Sequence, residues 1–152
     1  RKTAAKDSNP FTPAVNLYFG LEAALDMMQK EGLEAIFARH ERHRAAAQAG
    51  MEAIGLPLFA AKGHGSPAIT AVAPEGLDAE LLRKTVKEKF DILLAGGQDH
   101  LKGKVFRIGH LGYVCDRDVL TAVSAIEATL HSLGLHKGTM GAGVAATSAA
   151  LG

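Results

Sequence analysis

Tryptophan is absent from these 152 residues, cysteine occurs once, and aromatic side chains make up 5% of the chain. Few flat side chains remain on which unstacked bases could stack, so single-stranded nucleic acid is a poor match. Charge of either sign is not in excess: 17 Lys and Arg stand against 16 Asp and Glu, a formal net charge of +1. No broad field therefore draws the chain to duplex phosphates or to anionic lipid, and neither nucleic acid nor a membrane is expected as a partner. A single Cys115 cannot close an internal disulfide or build a nickel-iron or iron-sulfur site. It reads as a small filler ahead of a helix and fits a reducing compartment. No uninterrupted apolar run approaches membrane-spanning length, and the polar, basic opening is not a secretory signal, so a cytoplasmic location is expected.

What is present is length enough for one ordinary domain core and a clear change of pattern along the chain. Residues 1–14 are polar and aperiodic and read as an extended connector. From Val15 the apolar residues fall at helical steps: Leu17, Leu21, Ala24, Leu25 and Met28 form one stripe, and Gly32 interrupts it. Leu33, Ile36, Phe37, His40, Ala47, Met51 and Ile54 continue in a second helix closed by Gly55. Strands are expected at Pro57 to Ala61, Ala68 to Ala73, Ile92 to Ala95 and Val105 to His110. A helix capped by Asp78 runs through Phe90, and another, capped by Asp116, ends at Gly134. The fold class is therefore α/β: a small, mainly antiparallel sheet with helices on one face, over residues 15–134. Residues 135–152 are mostly Gly, Ala, Ser and Thr and are expected to be a disordered tail, having little bulk to bury against the entropy of ordering.

The stretch Lys104-Val-Phe-Arg-Ile-Gly-His-Leu-Gly112 places Arg107 in the middle of an apolar strand punctuated by glycine. Alternation sets Val105, Arg107 and Gly109 on one face and Phe106, Ile108 and His110 on the other. A guanidinium presents a planar fork matched to a carboxylate, and the missing Cβ at Gly109 lets a small anion approach. Recognition of a small carboxylic acid is one reading; pairing of Arg107 with an internal Asp or Glu is the other.

Gly96-Gly97, a short polar loop, Gly103 to Gly109 and then Leu111-Gly112, taken with Asn9-Pro10-Phe11-Thr12-Pro13-Ala14-Val15, Glu31-Gly32-Leu33-Glu34 and Arg39-His40, resembles the C-terminal small domain of class V, fold-type I pyridoxal-phosphate aminotransferases. The resemblance runs from about Ser8 to Leu133. It is nearest in kind to alanine/serine:glyoxylate aminotransferases and, in wording, to the cyanobacterial proteins named as the small subunit of soluble hydrogenase. It implies that Arg107 binds the substrate α-carboxylate and that Thr12 hydrogen-bonds the cofactor phosphate of a neighbouring subunit, which in turn implies a homodimer. Asn9 stands where relatives carry a phosphate-contacting tyrosine; its amide can still donate. The implied cofactor is pyridoxal 5'-phosphate, and the implied substrates are small amino acids and 2-oxo acids. The family's Schiff-base lysine, ring-pairing aspartate and stacking aromatic belong to a large domain upstream and have no counterpart here, so the chain is expected to be a fragment that is inactive alone, with no catalytic residue of its own. A stand-alone, non-catalytic αβ module binding a small carboxylate or a protein partner is the alternative.

Two further features invite functional readings that their spacing denies. Gly97 to Lys104 imitates a phosphate-binding loop, but five residues separate Gly97 from Gly103, Val105 replaces the hydroxyl residue and a strand follows. It reads as a strand connector in which Gln98 and His100 border the site. Arg39-His40-Glu41-Arg42-His43-Arg44 spreads around a helix without a carboxylate or thiolate to complete a metal site, so no metal is expected and the run reads as a solvated face with one packed histidine.

Overall fold

The computed structural model describes residues 6, 9 and 11–152 and divides into two compact units, residues 1–37 and 38–152. Much of the expected connector, including Lys2, lies outside the described residues. The first unit holds helix α1 (Val15–Glu31) and the start of α2 (Leu33–Ala53). Gly32, at φ 86°, ends α1 and donates its N–H to Met28 O, so the glycine break falls where the pattern put it. The stripe on α1 is not packed as expected: none of its residues is buried, and Leu17, Tyr18, Phe19, Leu21, Leu25 and Met28 are all exposed. Large apolar side chains occur all around this helix, more than one neighbouring element could cover.

In the second unit α2 is followed by β1 (Ile69–Val72), α3 (Ala79–Phe90), β2 (Ala95–Gly96), β3 (Phe106–Gly109), α4 (Asp116–Ser132) and α5 (Ala142–Leu151). The sheet has three strands in the order β1-β3-β2, both pairings antiparallel. The expected strand at Pro57 to Ala61 is reduced to an isolated bridge between Leu58 and Val72, and the one at Ile92 to Ala95 to the two residues of β2. The chain leaves β2 at once because Gly97 enters a tight 3-10 turn (Asp99–Leu101): a Cβ at Gly97 would lie 2.1 Å from Leu101 O. Phe106 and Ile108 of β3 with Val72 of β1 point into a core completed by Leu82 and Val86 of α3, Val123, Ile126 and Leu130 of α4, Met51 of α2 and Ile54 in the turn after it. Asp78 caps α3 as its sequence position predicts, accepting from Glu80 N at 2.8 Å. At α4 the cap is one residue earlier than expected: Cys115 is the N-cap, its N–H donating to Asp118 Oδ2 at 2.9 Å, and Asp116 is already helical.

The largest departure is the C-terminal segment, which forms α5 instead of a disordered tail. Glu127 on α4 is buried and accepts from Gly141 N at 2.9 Å and Gly143 N at 3.3 Å, so a carboxylate from a neighbouring helix satisfies the open donors at the start of α5. His136 Nε2 bonds the same carboxylate oxygen at 3.2 Å. Small side chains then let the helices approach: a Cβ at Gly143 would lie 2.8 Å from Ile54 Cγ2, and one at Gly50 2.3 Å from Thr147 Oγ1. Close backbone approach and one buried carboxylate replace the bulk that the composition lacks. Among the described residues no helix is long and apolar enough to cross a membrane.

Candidate functional site

Arg107 stands on the central strand, and its directly opposed neighbours are Ala71 on β1 and Ala95 on β2. Opposed residues of antiparallel strands share a face, so the long side chain rises from a bed of methyl groups. Its Nε donates to Gly96 O at 3.0 Å across the sheet. Among the described residues no carboxylate pairs with it, and its terminal amino groups make no hydrogen bond. The internal ion pair that offered the competing reading of this arginine is not formed among the described residues. Gly109 is exposed on the same face, with Leu111 Cδ2 3.4 Å from where its Cβ would be, so the opening beside the arginine has an apolar wall. Val105, placed on this face by alternation, is instead buried, because it precedes the strand proper. Gln98 and His100 are exposed in the turn between β2 and β3.

Behind the arginine, the strand's other face is fixed by polar contacts. His110 is fully buried and its Nε2 shares a 2.9 Å hydrogen bond with Thr70 Oγ1 of β1. Burial pushes the imidazole down to about 4, with the nearby His43 and His40 acting in the same direction, so it is neutral near pH 7. The loop from His110 to Cys115 is held by the basic run on α2, in which His43 is packed and Glu41 and Arg42 are exposed as expected, while Arg39 and His40 turn to the loop instead of to solvent. Arg39 Nη1 donates to Gly112 O at 2.9 Å and Val114 O at 3.1 Å, and Gly112 N donates to His40 Nε2 at 3.2 Å. Asp116 receives His43 Nε2 and Arg42 Nη1, each at 2.8 Å, and these two bonds, that of His43 first, hold its carboxyl below the ordinary carboxylate range. The same Arg42 amino group reaches Leu151 O at 3.2 Å, at the end of α5. No sequence period names backbone carbonyls as partners of an arginine, which is why this role is invisible in the sequence.

Thr12 and Asn9 lie in the first unit and are both exposed, Thr12 in the irregular run just before α1. A hydroxyl and a carboxamide are donors suited to a phosphate, and the first turn of α1 carries no acidic side chain to oppose one. The donor chemistry of Thr12 and Asn9 is compatible with a phosphate such as that of a pyridoxal group, and that of Arg107 with a carboxylate. Among the described residues no group of three or more His, Cys, Asp or Glu could hold a metal ion.

Residues 4–119 match the family described as aminotransferase class-V. The chain belongs to that family. This class V aminotransferase chain is 63% identical to the "Soluble hydrogenase, small subunit" of Synechococcus sp. (strain PCC 6716) over 99% of its own length and 39% of that protein's. It is 39% identical to the L-aspartate--glyoxylate aminotransferase of Paracoccus denitrificans, with 93% of the chain and 36% of that protein covered. Its fold superposes on pyridoxamine-pyruvate aminotransferase from Mesorhizobium loti with a TM-score of 0.87 and 34% identity, covering 94% of this chain and 37% of the other. The chain thus spans rather more than a third of the relatives it matches.

Proposed function

We propose that this chain is the substrate-gripping C-terminal part of a pyridoxal-phosphate-dependent aminotransferase that moves an amino group between a small amino acid and a small 2-oxo acid such as glyoxylate. The observation that supports this reading is Arg107: a guanidinium without a carboxylate partner among the described residues, on a surface cleared of side-chain bulk by Ala71, Ala95 and Gly109. Its relatives named as glyoxylate and pyruvate aminotransferases act on substrates that share a carboxylate, and it is the group best suited here to bind one.

When bound, pyridoxal phosphate supplies the electron-accepting ring chemistry of transamination. The part played by these residues is binding and orientation. Arg107 holds the substrate carboxylate, and a two-point grip fixes rotation as well as position, which is how a binding contact turns into rate. Leu111 excludes water on one side of that contact. Thr12, with Asn9 as a second donor, holds the phosphate in a neighbouring subunit, so the working form is a homodimer acting in the cytoplasm. The lysine that carries the cofactor is supplied by a further part of a longer polypeptide, and these residues alone are inactive. The name soluble hydrogenase does not extend to metal chemistry within these residues, whose one cysteine is too few for an iron-sulfur cluster.

The deciding experiment is Arg107→Lys in the full-length enzyme. An ammonium keeps the charge and loses the fork, so kcat/KM should fall for every amino donor by an amount equivalent to about 2 to 4 kcal/mol. Kinetics within a few fold of wild type would remove Arg107 from the substrate site.

A further inference from the structure

The Nε–H of Arg107 is committed to Gly96 O at 3.0 Å, and Gly96 is itself held from the other side. Arg83 on α3 donates through Nε to Leu94 O at 2.8 Å and through Nη1 to Glu80 Oε2 at 2.6 Å, which lays the ion pair against β2. A Cβ on Gly96 would lie 2.6 Å from Arg83 Nη1, 2.9 Å from Glu80 Oε1 and 3.0 Å from Arg83 Cζ. β2 is a two-residue edge strand, with no further strand beyond it to fix its position. Only a glycine lets the ion pair close on it, and the carbonyl that results is the one Arg107 uses.

We propose that Gly96, backed by the Glu80–Arg83 pair, is the positioning element of the substrate arginine. It occupies Nε and so leaves the two terminal amino groups, and only those, to take the carboxylate end-on. This rests on the reading of Arg107 as the carboxylate group. A guanidinium can receive a carboxylate either at its two ends or along its Nε side, and the two poses differ in where the substrate's α-carbon lies. Fixing one pose removes the other.

The test uses the full-length, cofactor-loaded enzyme with propionate as an unreactive carboxylate probe, measured by calorimetry beside steady-state kinetics. Gly96→Ala should raise the propionate Kd and the KM for amino donors about 5- to 20-fold and lower kcat with them, as expected when a group that both binds and orients is misaimed by a fraction of an ångström. Arg83→Ala, which introduces no clash, should shift both in the same direction by about 3-fold or more. In an Arg107→Met background neither substitution should weaken propionate binding further, because no Nε remains to be held. The 15Nε–1Hε resonance of Arg107 should keep its shift when propionate is added to wild type and lose it in Gly96→Ala. If Arg107→Met leaves propionate binding unchanged, the arginine is not the carboxylate site and the functional reading fails. If Arg107→Met abolishes binding while Gly96→Ala and Arg83→Ala both leave Kd and KM at wild-type values, or act equally in the Arg107→Met background, the positioning role is overturned and the functional reading stands.

Discussion

Thr70 Oγ1 and His110 Nε2 lie 2.9 Å apart in the core, tying β1 to the end of the strand that carries Arg107 on its opposite face. A neutral imidazole is required there, since its folded-state value is about 4 against an ordinary 6.5. The unfolded chain therefore binds the proton more readily, and the stabilisation present above pH 6.5 is lost as the pH falls towards 4. Urea unfolding should show a loss of about 2 kcal/mol between pH 7.5 and pH 5 from this group, and His110→Gln should flatten that slope. Asp116, also lowered, acts in a separate window: its contribution disappears only below the ordinary carboxylate value of 3.8. A wild-type slope that survives His110→Gln unchanged would disprove the assignment.

Glu127→Ala strips the bond acceptor from Gly141 N, Gly143 N and His136 at once. Leaving these groups without their partner should cost about 2 to 4 kcal/mol and release α5 first. Hydrogen exchange would register this as lost protection over residues 142–151 while β1 and β3 stay protected; uniform loss across the core would contradict it.

Removing the guanidinium in Arg39→Met should free the loop between β3 and α4, because two carbonyls, Gly112 O and Val114 O, lose their donor. The expected signs are faster amide exchange at 111–115 and a stability loss of about 1 to 3 kcal/mol. Unaltered exchange there would show that His40 and Asp116 suffice to hold the loop.

The proposed sharing of sites between subunits predicts complementation. Full-length protein carrying Thr12→Ala and full-length protein lacking the cofactor lysine should each be impaired, and mixed dimers should regain a portion of the activity through the one site that keeps both residues. Mixtures no more active than their parents would place Thr12 outside the neighbour's site.

The present chain, supplied with pyridoxal phosphate and treated with borohydride, should give no stoichiometric adduct at a single lysine and no transaminase turnover. A trapped adduct would mean that one of its own lysines carries the cofactor.

The helices and the central strand were legible because their signals are local and repeated: Gly32, Gly55 and Asp78 mark boundaries through backbone conformation and capping, and Phe106, Ile108 and Val72 alternate in step with the pleat. Arg107 was legible as an oddity, a charge within an apolar strand, whereas its hydrogen bond to Gly96 O and the lack of a carboxylate partner among the described residues needed the geometry. What escaped was non-local. The arginines of α2 bind backbone carbonyls far along the chain, and α5 is ordered by one carboxylate on another helix, so neither leaves a period or a motif in its own segment. The α1 stripe failed in the opposite direction, since a good local pattern does not guarantee a neighbour to cover it.

The contact between Gly50 and Thr147 carries a consequence for how this sequence can drift. Because Thr147 Oγ1 occupies the space of a Cβ at position 50, and Ile54 and Val123 crowd position 143, enlargement at either glycine demands shrinkage elsewhere in the same generation of changes. Substitutions here are expected to be coupled, with single steps disfavoured and compensated pairs tolerated. The plain composition of the last helix is thus a record of a fixed separation between helices, and diversity in that segment should be narrower than its low complexity suggests.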